Sequence, residues 1–174
     1  QNCSANMRQL IAAPLVDEFT RRIIERVKAF KLGDPLDPAT DIGSMITKDH
    51  KEMVMSYIQS GLAEGAGMLM GGESDFPGHF IKPTVFENVT PEMKIAKEEI
   101  FGPVLGIMSV ENADEALRIA SDTDYGLHAT VFTQNIDQAL HMARSLPCGT
   151  VSVNGFSEGD IKTPFGGYKQ SGSL

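Results

Sequence analysis

Pro103-Val104-Leu105-Gly106-Ile107-Met108-Ser109-Val110 is a nearly unbroken apolar run, too short for a buried helix and right for a buried strand. Helical spacing follows over residues 112–121, where Ala116, Leu117, Ile119 and Ala120 face inward. Residues 128–133 return to a strand pattern. Residues 135–146 read as a helix capped by Asn135, and residues 149–154 as a third strand. Strands alternating with helices predict the α/β class. The expected architecture has three layers: a mainly parallel open sheet with helices on both faces and right-handed crossovers.

Working backwards, residues 7–13 read as a short strand and Pro14 suits a first helical turn. Leu15, Phe19, Ile23, Ile24, Val27 and Phe30 place an amphipathic helix over 15–30. A turn-rich loop, Gly33-Asp34-Pro35-Leu36-Asp37-Pro38, leads to a second helix over about 47–63 with Thr47 as N-cap. Gly65 is placed to end that helix in a left-handed conformation. Residues 66–70 form a strand closed by Gly71-Gly72. Residues 80–89 form another, which Pro83 marks as an edge or irregular strand. A short helix or turn is expected over 93–99, and the glycine-rich tail, 155–174, reads as loop.

A single domain is the natural expectation for 174 residues with 41% hydrophobic and 22% charged side chains. The net charge of −8 argues against nucleic acid or an anionic membrane as partner. No apolar run approaches the roughly 18 residues that a bilayer span requires. Two cysteines, Cys3 and Cys148, make no disulfide framework and lack metal-ligand spacing, so a reducing, cytoplasmic setting fits.

Four stretches carry candidate chemistry. In Gln1-Asn2-Cys3-Ser4-Ala5-Asn6-Met7 small and amide-bearing neighbours surround one thiol. A thiolate needs such a polar, approachable niche to act as nucleophile, and backbone N–H groups on a tight turn can face an oxyanion. The competing reading is that Cys3 is a small buried hydrophobe. Lys97-Glu98-Glu99-Ile100-Phe101-Gly102 leads into a strand; a carboxylate two residues before an aromatic ring can grip a ribose and flank a flat heterocycle. The alternative is a solvated pair, Glu98 and Glu99, beside a core Phe101. Asn154-Gly155-Phe156-Ser157-Glu158-Gly159-Asp160 follows the last strand, on the rim of any pocket there. Pro164-Phe165-Gly166-Gly167-Tyr168-Lys169-Gln170-Ser171-Gly172 combines unusual backbone with a ring that can line a pocket. Of the histidines, His50 falls in the first turn of the second helix, within reach of a ligand. His79, His128 and His141 read as structural, and Cys148 as a packing residue.

Together these stretches resemble the aldehyde dehydrogenase superfamily across essentially the whole chain. Gln1-Asn2-Cys3-Ser4-Ala5 is similar to its active-site segment, Glu98-Glu99-Ile100-Phe101-Gly102-Pro103-Val104 to its cofactor motif, and the stretch from Pro164 to Gly172 to its C-terminal landmark. The resemblance implies NAD(P)-dependent oxidation of an aldehyde to an acid. Cys3 would form a thiohemiacetal, its own N–H helping to hold the oxyanion, and water would hydrolyse the ensuing thioester. Glu99 would bind the nicotinamide ribose, Phe101 would lie near it, and His50 aligns with a position that often touches the same ribose. Asn2, Phe156, Ser157, Asp160 and Phe165 would contact the substrate. The loop from Phe156 to Ile161 looks most like the branch acting on γ-glutamyl-γ-aminobutyraldehyde, aminobutyraldehyde and guanidinobutyraldehyde, with a carboxylate such as Asp160 or Glu158 able to meet a cationic tail.

The resemblance also sets limits. The family's dinucleotide-binding domain, general-base glutamate, oxyanion-hole asparagine and oligomerisation tail have no counterpart in residues 1–174, which read as a partial catalytic domain. The parent would be a homodimer or homotetramer, and the isolated chain is expected to be inactive. The rival readings are a non-catalytic binding or structural module that keeps the fold and, within enzymes, a relative passing its acyl group to coenzyme A.

Overall fold

The computed structural model describes residues 1–156 and 162–172. The chain divides into two compact units, Gln1 with Met7–Ser109, and Asn2–Asn6 with Val110–Leu174.

In the first unit β1 (Arg8–Ala12) leads through a 3₁₀ turn carrying Pro14 to α1 (Val16–Lys28). The α1 surface carries Glu18, Arg21, Arg22 and Glu25 in an ion-pair ladder. None of its residues is fully buried, although its apolar stripe has the expected helical spacing. Next come α2 (Lys48–Ala63), β2 (Gly67–Glu73), β3 (Ile81–Glu87), the one-turn α3 (Lys94–Lys97) and β4 (Val104–Val110). Thr47 caps α2 as expected, its hydroxyl oxygen accepting the His50 N–H at 3.1 Å. Gly65 follows with φ 98°.

The four strands run in the order β1-β4-β3-β2. β3 and β4 are parallel, whereas β2 is antiparallel to β3. A short connection joins β2 to β3, and only antiparallel neighbours can be linked that briefly. The sheet is therefore mixed, with an antiparallel pair at the edge strand β2 beside the expected parallel pairing of β3 and β4. The α/β class holds.

Of the two readings of Pro83, edge or irregular, the second holds: β3 is an inner strand, flanked by β4 and β2, and its pairing with β2 is irregular at Pro83. Proline survives there because the partner strand bulges. The register shifts between Met70 and Gly72, opposite the segment from Lys82 to Val85. Gly71 and Gly72 adopt φ values of 114° and 88°, and the Gly72 N–H donates to Thr84 Oγ1 at 3.0 Å. These glycines do not close β2; they carry it past Pro83 to Glu73. Phe86, Ile81, Val85, Ile107 and Met108 are almost wholly buried, each worth roughly 1.5–3 kcal/mol of apolar burial. Gly61 lets α2 sit against this core, since a Cβ there would lie 2.9 Å from Ile95 Cδ1.

The second unit holds α4 (Ala113–Ser121), β5 (Tyr125–Gly126), β6 (His128–Val131), α5 (Ile136–Ser145), β7 (Thr150–Val153) and β8 (Tyr168–Lys169). Asn112 caps α4 by accepting the Glu115 N–H, and Asn135 caps α5 by accepting the N–H groups of Asp137 and Gln138. β6 and β7 pair in parallel across α5, as the alternation predicts. β4 is hydrogen-bonded within the four-stranded sheet instead of joining them, because β1 and β3 take its two edges. The tail is not all loop: β8 pairs antiparallel with β5. No helix among the described residues is long and apolar enough to cross a membrane.

Candidate active site

The sequence-predicted residues fall into two groups, one in each unit. In the second unit Cys3 stands exposed on a tight turn. Asn2 builds that turn. Its side-chain oxygen accepts the Ser4 N–H at 2.9 Å and the Ser4 hydroxyl at 3.2 Å, and its carbonyl accepts the Ala5 N–H at 3.1 Å. Ser4 is buried beneath the turn. Asn6 then donates from Nδ2 to Thr130 Oγ1 on β6 at 3.2 Å, which ties the thiol-bearing segment to a strand. Cys3 is thus not the packed hydrophobe of the competing reading. Cys148 is half-buried between Pro147 and Gly149.

Both predicted aromatic rings of the same unit are open to solvent, Phe156 at 56% and Phe165 at 41% exposure. Phe156 lies three residues past the end of β7, and His128 of β6 meets it edge-on with ring centroids 5.1 Å apart. His128 Nε2 lies 3.3 Å from Ser152 Oγ on β7, so this histidine braces the ring from the sheet. Phe165 belongs to a segment held from several sides. The Gly126 N–H donates to Ser171 Oγ at 3.1 Å, and the Gln170 N–H to the Asp124 carbonyl at 2.9 Å. Ser157 and Asp160 lie outside the described residues.

In the first unit Glu99 is exposed and its neighbour Ile100 is 1% exposed. Phe101 is 38% exposed and holds a left-handed φ of 53°, unusual for a non-glycine residue. His50 Nε2–H donates to the Phe101 carbonyl at 3.0 Å, and the two rings stack at 6.0 Å with planes 17° apart. His50 and Phe101 therefore meet, and Glu99 lies two residues before Phe101 in the chain. Their chemistry fits a ribose beside a flat ring: a solvent-facing carboxylate can accept two vicinal hydroxyls, with an open phenyl face nearby. An open cleft of about 460 Å³ elsewhere on α2, lined by Lys48, Lys51, Glu52, Met55, Glu73, Gly78 and His79, contains none of the predicted residues.

Tyr57 reads from the sequence as part of the apolar stripe of α2, with Met53, Val54, Ile58 and Leu62, and not as a polar group of the site. Its hydroxyl donates to Glu98 Oε2 at 2.8 Å. The available signal was its spacing from His50, which puts the two on one helix face.

The sequence profile described as the aldehyde dehydrogenase family matches residues 1–173. The chain belongs to that family. It is 48% identical to aldehyde dehydrogenase 1A1 of Gallus gallus over 174 residues, covering 99% of this chain and 34% of that protein. It is 40% identical to aminoacetaldehyde dehydrogenase of Pseudomonas aeruginosa, again covering 99% of this chain and 34% of the relative. Among solved structures, indole-3-acetaldehyde dehydrogenase in complex with NAD+ superposes with a TM-score of 0.96 at 42% identity, covering 99% of this chain and 35% of that one. The chain thus spans about a third of the length of these relatives.

Proposed function

We propose that this chain is the thiol-bearing part of an enzyme that oxidises aldehydes to carboxylic acids, with NAD or NADP as acceptor and Cys3 as nucleophile. The observation that carries the reading is the placement of Cys3, solvent-facing on a turn fixed by Asn2, in a chain of the aldehyde dehydrogenase family. The Cys3 thiolate attacks the carbonyl carbon; the C–S bond forms as the π pair moves to oxygen, where backbone N–H groups of the turn stabilise it. Once oxidised to the thioester, the adduct is released by water as the acid, and the thiol returns. Phe156 and Phe165 wall the apolar stem of the substrate. Bound NAD(P) supplies the hydride acceptor; Glu99 would hold its ribose, Phe101 would flank the nicotinamide, and His50 would support both.

Amine-derived aldehydes are the proposed substrate class. The similarity to an aminoacetaldehyde dehydrogenase supports this, as do the acidic residues after Phe156. The lone thiols fit a reducing, cytoplasmic compartment. The 174 residues alone would not turn over substrate, because the family's general base has no counterpart among them.

Peptide mass spectrometry after limited iodoacetamide treatment tests the nucleophile. Cys3 should label about tenfold faster than Cys148, and excess aminobutyraldehyde should slow the labelling of Cys3 alone. Equal rates without protection by aldehyde would sink the reading.

A further inference from the structure

His50, Val54 and Tyr57 recur on α2 at spacings of four and three, which stacks them along one face. All three meet the segment from Glu98 to Gly102. The Tyr57 hydroxyl donates to Glu98 Oε2 at 2.8 Å. His50 Nε2–H donates to the Phe101 carbonyl at 3.0 Å. Val54, fully buried, lies beneath Gly102, where an added Cβ would come within 2.8 Å of both valine methyls. Lys94 braces the first anchor, with its Nζ 4.8 Å from the Tyr57 ring centroid and 3.9 Å from Glu98 Oε2.

The two polar anchors bracket Glu99 and Ile100. Ile100 is buried, so the backbone between the anchors has one side plugged into the core, and Glu99 is left exposed. Phe101 keeps its left-handed φ of 53°, a conformation that persists only where surrounding contacts over-determine it. The His50 hydrogen bond to its carbonyl is one such contact.

We infer that His50 and Tyr57 are positioning residues, which set the Glu98–Phe101 segment so that Glu99 is presented ready-made to the dinucleotide. This rests on the cofactor role proposed above for Glu99 and Phe101. Neither helix residue needs to touch the ligand to have this effect, because a pre-set loop loses less freedom on binding.

Three variants, made in the active enzyme, test the inference: Tyr57→Phe, His50→Ala and His50→Gln, the last keeping a side-chain donor. Two readouts are needed, amide hydrogen exchange of the peptide spanning 98–102 and the dissociation constant for NAD+. Tyr57→Phe and His50→Ala should speed exchange in that peptide while leaving α5 peptides unchanged, and should weaken NAD+ about fivefold to tenfold. His50→Gln should restore most of both. At saturating NAD+ Tyr57→Phe should keep the KM for aldehyde. Weaker NAD+ binding with unaltered exchange would mean direct contact and overturn the positioning role; so would faster exchange with unaltered binding. A wild-type protein that does not bind NAD+ would instead defeat the functional reading, and this inference with it.

Discussion

Gly149 and Gly166 meet backbone against backbone: a Cβ on Gly149 would overlap the Gly166 carbonyl oxygen. Gly126 is crowded in the same way by the Pro147 carbonyl. The first contact seats the segment bearing Phe165 against the start of β7; the second packs the end of β5 against Pro147. Gly149→Ala should therefore lower the unfolding free energy by about 1–3 kcal/mol, the usual range for overpacking against backbone that cannot move aside. Gly155→Ala, where an added Cβ meets nothing within 4 Å, should stay within about 0.5 kcal/mol of wild type. Urea denaturation of both variants checks the contrast, and equal losses would refute it.

Lys169 holds the same segment from its other end. Its Nζ donates to the carbonyls of Ser121 and Thr123, both at 2.7 Å, at the C-terminal end of α4. A cation at the C-terminal end of a helix also interacts favourably with the helix dipole. Lys169 also carries a left-handed φ of 55°. Lys169→Ala loses the bonds and keeps the strain, whereas Lys169→Gly loses the bonds and relieves it. The alanine variant should cost about 1 kcal/mol, with glycine less harmful by about 0.4–1 kcal/mol. Thermal unfolding would show the order Lys169, Gly, Ala; a glycine variant below alanine contradicts it.

How much of this was legible in the residues depends on how local the signal was. Thr47, Asn112 and Asn135 bond to backbone N–H groups a few positions on, so the starts of α2, α4 and α5 could be read directly. Gly65 needed only its own φ. Pro83 marked the irregularity of β3 but could not place it, because what tolerates the proline is a bulge at Gly71 and Gly72 on the neighbouring strand. The β5–β8 pairing is likewise non-local, joining Tyr125 to Lys169. In the candidate site, Cys3, Glu99 and Phe101 stood out because the motifs that carry them resemble those of the aldehyde dehydrogenase family; local chemistry alone left each with a bland alternative. Tyr57 and Asn6 did not, since each works through a partner, Glu98 or Thr130, that only the fold brings near.

The amine-derived substrate class predicts a charge effect at Asp160. A carboxylate meeting an ammonium forms a charge-assisted hydrogen bond that a neutral tail cannot make. In the active enzyme, Asp160→Asn should raise the KM for aminobutyraldehyde about tenfold, as loss of one such bond implies, and barely change that of a neutral aldehyde of equal length. Steady-state kinetics with the two substrates decides the matter. Equal changes in both would remove the charge argument and leave the aldehyde chemistry standing.

Acid should act on α1 through Glu18. The side-chain hydrogen bonds from Arg21 and Arg22 hold its carboxyl down at about 2, against an ordinary 4.5. A carboxyl depressed in the folded state favours folding fully above its unfolded value. That contribution fades as the pH falls from 4.5 towards 2, where Glu18 takes up its proton and releases both guanidinium groups. The group is fully exposed, so its effect on global stability is small, and salt should weaken it further. Carbon-detected NMR titration of the Glu18 carboxyl should give a midpoint near 2 in low salt, moving towards 4.5 in about 1 M sodium chloride and in Arg21→Ala. A midpoint already near 4.5 in low salt would show that the ladder on α1 does not form in solution.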